Sequence, residues 1–187
     1  DRPGLLAKIT AALAVCRLEV HAANIYSRAH ASGVVTAVDL FWVRDRSDGI
    51  AGVERAIPRL ERDLAALLEG SIEKRELVAR VRPSRQRGTP RVPTRVTVDH
   101  RASPLYTVIE VATHDRPGVL FAMSNALFEL GVSIAIAKIN TEGARVADVF
   151  YVTDLLGAQI NAPTRQAAIR SALLHLLANG AAAKPAA

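Results

Sequence analysis

The tetrapeptide Asp-Arg-Pro-Gly occurs twice, at residues 1–4 and 115–118, each time directly ahead of an apolar-periodic run. The first backbone N–H groups of a helix lack acceptors and carry partial positive charge, so such a place attracts a carboxylate or another anion. Pro117 fixes φ for a helix start. Gly118 lets a ligand come close to the backbone. Asp115 either caps the helix or receives a ligand ammonium group. Amide donors for a carboxylate beside a carboxylate for an ammonium suit a free amino acid. A purely structural reading competes, in which Asp115 caps the helix and Gly118 relieves crowding. On four residues alone that reading has the better claim, and duplication does not change it, because a repeat copies structure as well as function.

Other chemistry is thinly represented. The single cysteine, Cys16, excludes a disulfide framework and a cysteine-based zinc site. The histidines are His21, His30, His100, His114 and His175, none at a ligand spacing typical of metal-binding helices. His114-Asp115 is a His-Asp dipeptide but reads as a strand end. Asp39 and Asp148 hold equivalent strand positions, and a structural role is expected for both, because paired acid–base carboxylates would have to meet across one site.

The elements that position the two turns follow from an internal repeat. DRPGLLAKITAALAVCRLEVHAANI from Asp1 matches DRPGVLFAMSNALFELGVSIAIAKI from Asp115 without a gap, 114 residues apart. VDLFWVRD then matches ADVFYVTD, five residues having been added in the first copy. Each copy predicts a helix with one buried stripe: Leu6, Ile9, Leu13, Cys16 in the first, and Leu120, Met123, Leu127, Leu130 in the second. Cys16 stands where Leu130 does and reads as a small core residue. Strands follow at Leu18–Ser27 and Val34–Val43, and at Val132–Thr141 and Val146–Thr153. A second helix closes each copy, with stripes Val53, Ile57, Leu60, Leu64, Leu67 and Ile169, Leu173, Leu176; Pro58 should kink the first. The second copy also has a strand before its turn, Leu105–Thr113. Its counterpart in the first copy is missing, so a continuation upstream of Asp1 is expected. A further strand, Arg95–Asp99, is expected beside the second sheet. Each copy is thus a ferredoxin-like α+β unit of βαββα order, an antiparallel sheet with helices on one face.

Length, charge and hydropathy bound the rest. The 187 residues, 50% apolar and 22% charged, fit one large or two small domains with a real core. No run of about 18 apolar residues exists, so no membrane span is expected. The net charge of +6 is uneven: residues 74–101 carry +7 and the remainder −1. Prolines 83, 90 and 93 fall within that stretch, which reads as a connector. The boundaries are a first repeat at 1–70, a connector at 71–93, a second repeat with its extra strand at 94–180, and a flexible tail at 181–187. An RNA-recognition sheet would stack bases on aromatics in its central strands. Only 4% of the residues are aromatic. Phe41-Trp42 and Phe150-Tyr151 are strand neighbours facing opposite sides, so one of each is core. Nucleic-acid binding by the near-neutral repeats is not expected.

The βαββα order with the glycine turn resembles the ACT domain, a small-molecule-sensing module that often binds amino acids. The VPTRVTVD strand, the DRPG helix, the GVSI…AKINTEGARVADVFYVTD hairpin and the basic connector, in that order, resemble the C-terminal region of the bifunctional [protein-PII] uridylyltransferase/uridylyl-removing enzyme family. The likeness runs from Asp1 to about Leu177. It implies a cytoplasmic regulatory region that senses glutamine and controls UMP attachment to, and removal from, PII. The partners it implies are an amino acid, upstream catalytic domains in the same chain and, through the whole enzyme, PII. Implied ligand positions are Asp115, Arg116, Pro117, Gly118 and Val119, their twins Asp1, Gly4 and Leu5, and the second-strand residues Asn24, Ile25, Lys138 and Asn140. Asn24 corresponds to Lys138, so the two sites should not be equivalent. The family's catalytic centre is absent: Gly70-Ser71 is followed by no Asp-x-Asp, and magnesium is expected only for catalytic domains outside this chain. The alternative is a free-standing tandem-ACT regulator, and behind it an RNA-binding module.

Overall fold

The structure is a computed structural model that describes residues 3–29, 33, 35–45, 47–78 and 92–178. In chain order it contains α1 (Leu5–Val15), β1 (Leu18–Ala29), β2 (Val35–Asp45), α2 (Gly49–Glu69), α3 (Lys74–Val78), β3 (Arg95–Asp99), β4 (Thr107–His114), α4 (Val119–Glu129), β5 (Val132–Glu142), β6 (Arg145–Asp154) and α5 (Pro163–Ala178). The six strands form one antiparallel sheet in the order β2-β1-β5-β6-β4-β3.

The sequence predicts a sheet for each copy; the structure joins them edge to edge. β1 and β5 would each be an edge with unpaired backbone groups, and pairing them removes both edges. The register is symmetric. Asn24 lies opposite Lys138, while Ala23 and Ile25 lie opposite Ile139 and Ala137, so equivalent positions exchange about the Asn24–Lys138 pair. Thr10 and Ser124, also equivalent in the repeat, share a buried 2.9 Å hydrogen bond between α1 and α4. A pseudo-two-fold axis therefore runs from the middle of the sheet through the helix pair. β3 pairs with β4, as expected for the extra strand.

Alternation along the strands assigns the faces. Ala23, Ile25, Ala137, Ile139 and Phe150 are buried against α1, α4 and α5, in a single cluster with Leu6, Met123, Leu127, Ile169 and Leu173. Phe41 packs against that cluster too. Their neighbours Trp42 and Tyr151 fall on the opposite side, where Tyr26, Val38, Leu40 and Trp42 are exposed.

Two expectations change. α1 is not buried along one stripe alone: Leu6, Ala7, Thr10, Ala11, Ala12, Leu13 and Val15 are all buried, whereas Ile9 and Cys16 are only half-buried. Small residues on the far side let Ala12 and Val15 receive Leu67 of α2 and Leu77 of α3 in a second cluster. Conversely, only Leu67 of the α2 stripe is fully buried and Ile57 is exposed. The second copy covers α5 with β3 and β4; the first has no such strands beyond β2 among the described residues. Residues 71–93 are also not uniformly a connector, since α3 docks there through Leu77; residues 79–91 lie outside the described set, as does the tail.

Candidate functional site

Both Asp-Arg-Pro-Gly turns end in a glycine at the helix cap. Gly4 has φ +82° and Gly118 φ +75°, left-handed values that a side chain disfavours. Gly118 therefore answers to backbone geometry and not to crowding, because an added Cβ there would meet nothing within 4 Å. The cap residue has no side chain with which to cap, and Asp115 stands three residues earlier, its N–H donating to the Ala144 carbonyl at 2.8 Å. The Ala122 N–H donates to the Gly118 carbonyl at 2.9 Å. The first-turn N–H groups of Leu120 and Phe121 thus precede the helical hydrogen-bond ladder, as in any helix start.

Each turn opens onto a cavity whose other wall comes from the opposite copy. The first joins Pro3–Leu6 and Asp39 to Ser124, Phe128, Val132 and Ile134. The second joins Asp115–Phe121 to Thr10, Ala14, Leu18, Glu19 and Val20. The walls correspond under the pseudo-two-fold: Ser124 to Thr10, Phe128 to Ala14, Val132 to Leu18 and Ile134 to Val20. The pairing of β1 with β5 produces this arrangement, because it sets each copy's turn against the end of the other's first helix.

Of the sequence-predicted positions, Gly4, Leu5 and Ile25 line the first cavity, and Asp115, Arg116, Pro117, Gly118 and Val119 line the second. Asp1 lies outside the described residues. Asn24, Lys138 and Asn140 line neither cavity. Asn24 and Lys138 face each other on the open side of the sheet, with the Lys138 ammonium 5.9 Å from the Tyr151 ring centre, and the Asn140 side-chain amide donates to Glu142 at 3.3 Å. The start of each second strand, not its middle, reaches the opposite turn, so Leu18, Val20, Val132 and Ile134 take the place expected for Asn24 and Lys138. Phe128 and Ala14 were equally invisible as wall residues, because nothing in the sequence sets the register between copies.

Arg116 is already engaged. Its guanidinium donates to the Leu177 and Leu176 carbonyls at 2.9 and 3.2 Å, satisfying the end of α5, and burial lowers its pKa. The Lys8 ammonium does the same for α2 at the Leu67 carbonyl, 2.7 Å away. These cations tie the end of each copy's second helix to the turn or helix before it.

Asp148 lies 1% exposed on the helix-facing side of β6. It accepts the Asn140 N–H through Oδ1 at 3.2 Å, while Oδ2 has no hydrogen-bond partner among the described residues. Burial, with a contribution from the neighbouring Asp115 charge, raises its pKa to about 7. Asp39 repeats the motif against the Tyr26 N–H, its pKa also raised by burial. The Cys16 thiol is likewise raised by burial, as suits a packing residue. Among the described residues no cluster of three or more His, Cys, Asp or Glu could hold a metal, and no helix is long and apolar enough to cross a membrane.

The strand–turn–helix that carries Asp115–Gly118, with the hairpin and helix behind it, decides the comparison. Residues 107–171 match the ACT domain. The whole chain is similar to bifunctional uridylyltransferase/uridylyl-removing enzymes, at 44% identity to that of Bradyrhizobium sp. (strain ORS 278) and 43% to that of Rhodopseudomonas palustris, each over 100% of the chain. The identity to the Gluconobacter oxydans enzyme is 36%, again over 100% of the chain. The chain spans about a fifth of the length of these curated relatives, 20% in each case.

Proposed function

We propose that this chain is the amino-acid-sensing region of a [protein-PII] uridylyltransferase/uridylyl-removing enzyme, and that glutamine is its ligand. In this reading both copies are ACT units, the second being the one the family match covers. The observation that carries it is the pair of cavities between copies, each walled by a glycine turn. A glutamine α-carboxylate at the first-turn amides of α4 and its ammonium group at Asp115 would use the two kinds of group the turn offers. A sensor of an abundant metabolite needs only modest affinity; a Kd near 1 mM corresponds to about −4 kcal/mol.

In this reading the catalytic centre belongs to other domains of the enzyme. Ligand binding across the seam between copies would favour one arrangement of the sheet and helices over another and so bias catalytic domains elsewhere in the protein. Magnesium would belong to those domains, PII would be their substrate, and the setting would be the cytoplasm. Unlike a free-standing regulator, such a region responds to glutamine by changing UMP transfer to PII. The test is a thermal-shift screen of the protein against the twenty amino acids, followed by uridylylation assays with and without glutamine. Glutamine should give the largest shift, and Gly118→Val, which forces a β-branched residue to φ +75°, should abolish the glutamine response. A larger shift with another amino acid, or glutamine control unchanged in Gly118→Val, would sink the assignment.

A further inference from the structure

The two cavities share a plan but differ at the turn. An added Cβ on Gly4 would lie 2.8 Å from two ring carbons of Phe128, well inside contact distance. At Gly118 the same construction meets nothing within 4 Å. The pseudo-two-fold explains the difference, because Ala14 occupies the place of Phe128 at the second turn. The enclosed volumes are ≈ 20 Å³ at the first turn and ≈ 40 Å³ at the second. The cavities also differ in whether their space reaches the turn backbone, and at Gly4 an aromatic ring covers it.

The ring, 37% exposed, also has a neighbour from α3. Phe128 lies at the end of α4, and the Lys74 ammonium sits 5.0 Å from its ring centre on α3. α3 is anchored by Leu77, which is fully buried among Ala12, Val15 and Leu67. The second cavity has Asp115 and Glu19 on its walls; the first has Asp39 among the described residues, and Asp1, the counterpart of Asp115, lies outside them.

Resting on the amino-acid reading above, we propose that only the Asp115–Gly118 cavity takes the ligand, that Phe128 closes its twin at Gly4, and that each chain therefore binds one amino acid. A ligand carboxylate must reach the turn amides to be recognised, and the Phe128 ring covers that approach at Gly4. Two small differences, Phe for Ala on one helix and the docking of α3 behind it, turn a duplicated site into a single one.

Counting sites tests this. Equilibrium dialysis of the protein expressed from its own gene, with labelled glutamine, should give one molecule bound per chain. Ala14→Phe should abolish binding, and Phe128→Ala should raise the count to two. Ala14→Leu serves as a milder filler should the ring disturb α1, and thermal melting of each variant confirms the fold. Two molecules bound by the unaltered protein overturns the proposal while leaving the amino-acid reading intact. So does binding kept by both folded Ala14 variants, or a count that stays at one in Phe128→Ala. If another of the twenty amino acids binds in place of glutamine, the ligand identity falls and the same counts with that amino acid decide the site. Binding by none of the twenty overturns both readings.

Discussion

At the residue scale, Asp148 shows how the repeat sets chemistry beyond the turns. A carboxyl whose folded pKa is near 7 and whose unfolded value is near 3.8 is protonated in the fold while the unfolded chain has already lost its proton. Stability from this residue is fully present below about pH 4, falls as pH rises to about 7, then levels off. Asp148→Asn keeps an acceptor for the Asn140 N–H and removes the titration. Thermal melts should lose their fall in Tm between pH 5 and 8 in this variant, and it should be the more stable form at pH 8. An unchanged slope would place the titrating group elsewhere. The equivalence of the aspartates at 39 and 148 was legible in the sequence, because the repeat aligned them. Their burial was not, because alternation shows which residues share a face but not which face a second layer covers. Gly118 was legible for a similar reason: a glycine closing a turn needs no tertiary knowledge. Phe128 was not, because its partner Gly4 is 124 residues away and only the docking of α1 against α4 brings them together.

At the scale of elements, the boundaries of β1, β2, β5 and β6 and of both long helices fall within a few residues of the periodicity. Length changes and turn residues mark them in the sequence. The missed element was α3. Its surroundings are rich in arginine and proline, so charge outweighed a short apolar pair, Leu77 and Val78, in reading the stretch as connector. Burial reverses that weighting locally. Leu77 is fully buried, and removing its side chain leaves a cavity against Ala12 and Val15, a change worth about 2–5 kcal/mol in protein cores. Leu77→Ala should therefore lower Tm. With α3 loosened, the Phe128 ring should also become more exposed, which a fluorine label on phenylalanine would report as a shifted and narrowed resonance. Tm unchanged within a degree would show that α3 contributes nothing to the core.

At the scale of the whole molecule, the seam between copies decides how the region behaves. Two tethered units would unfold separately and transmit little to one another. Here the main core cluster takes Leu6, Ala23 and Ile25 from the first copy and Ile139, Leu127 and Phe150 from the second. β1 and β5 share a five-residue ladder at its middle. The sequence argued for two neutral units around a basic connector, and the charge separation stands. What it could not show was that the connector's neighbours are one cooperative body, because strand pairing between copies leaves no periodic trace. Cooperative opening follows from a shared core. Hydrogen exchange under native conditions should find the amides of Ala23 and Ile25 in β1 opening with the same free energy as those of Ala137 and Ile139 in β5, and Ile139→Ala should lower both sets equally. Protection lost from β5 alone in that variant would mean that the copies open independently. A ligand in the second cavity touches α1 and β1 of one copy and the turn of the other, so its binding energy adds to the same shared opening. If the proposed glutamine binding at this turn holds, adding glutamine should slow exchange in β1 and β5 together, including residues remote from the turn; slowing confined to the turn would overturn this.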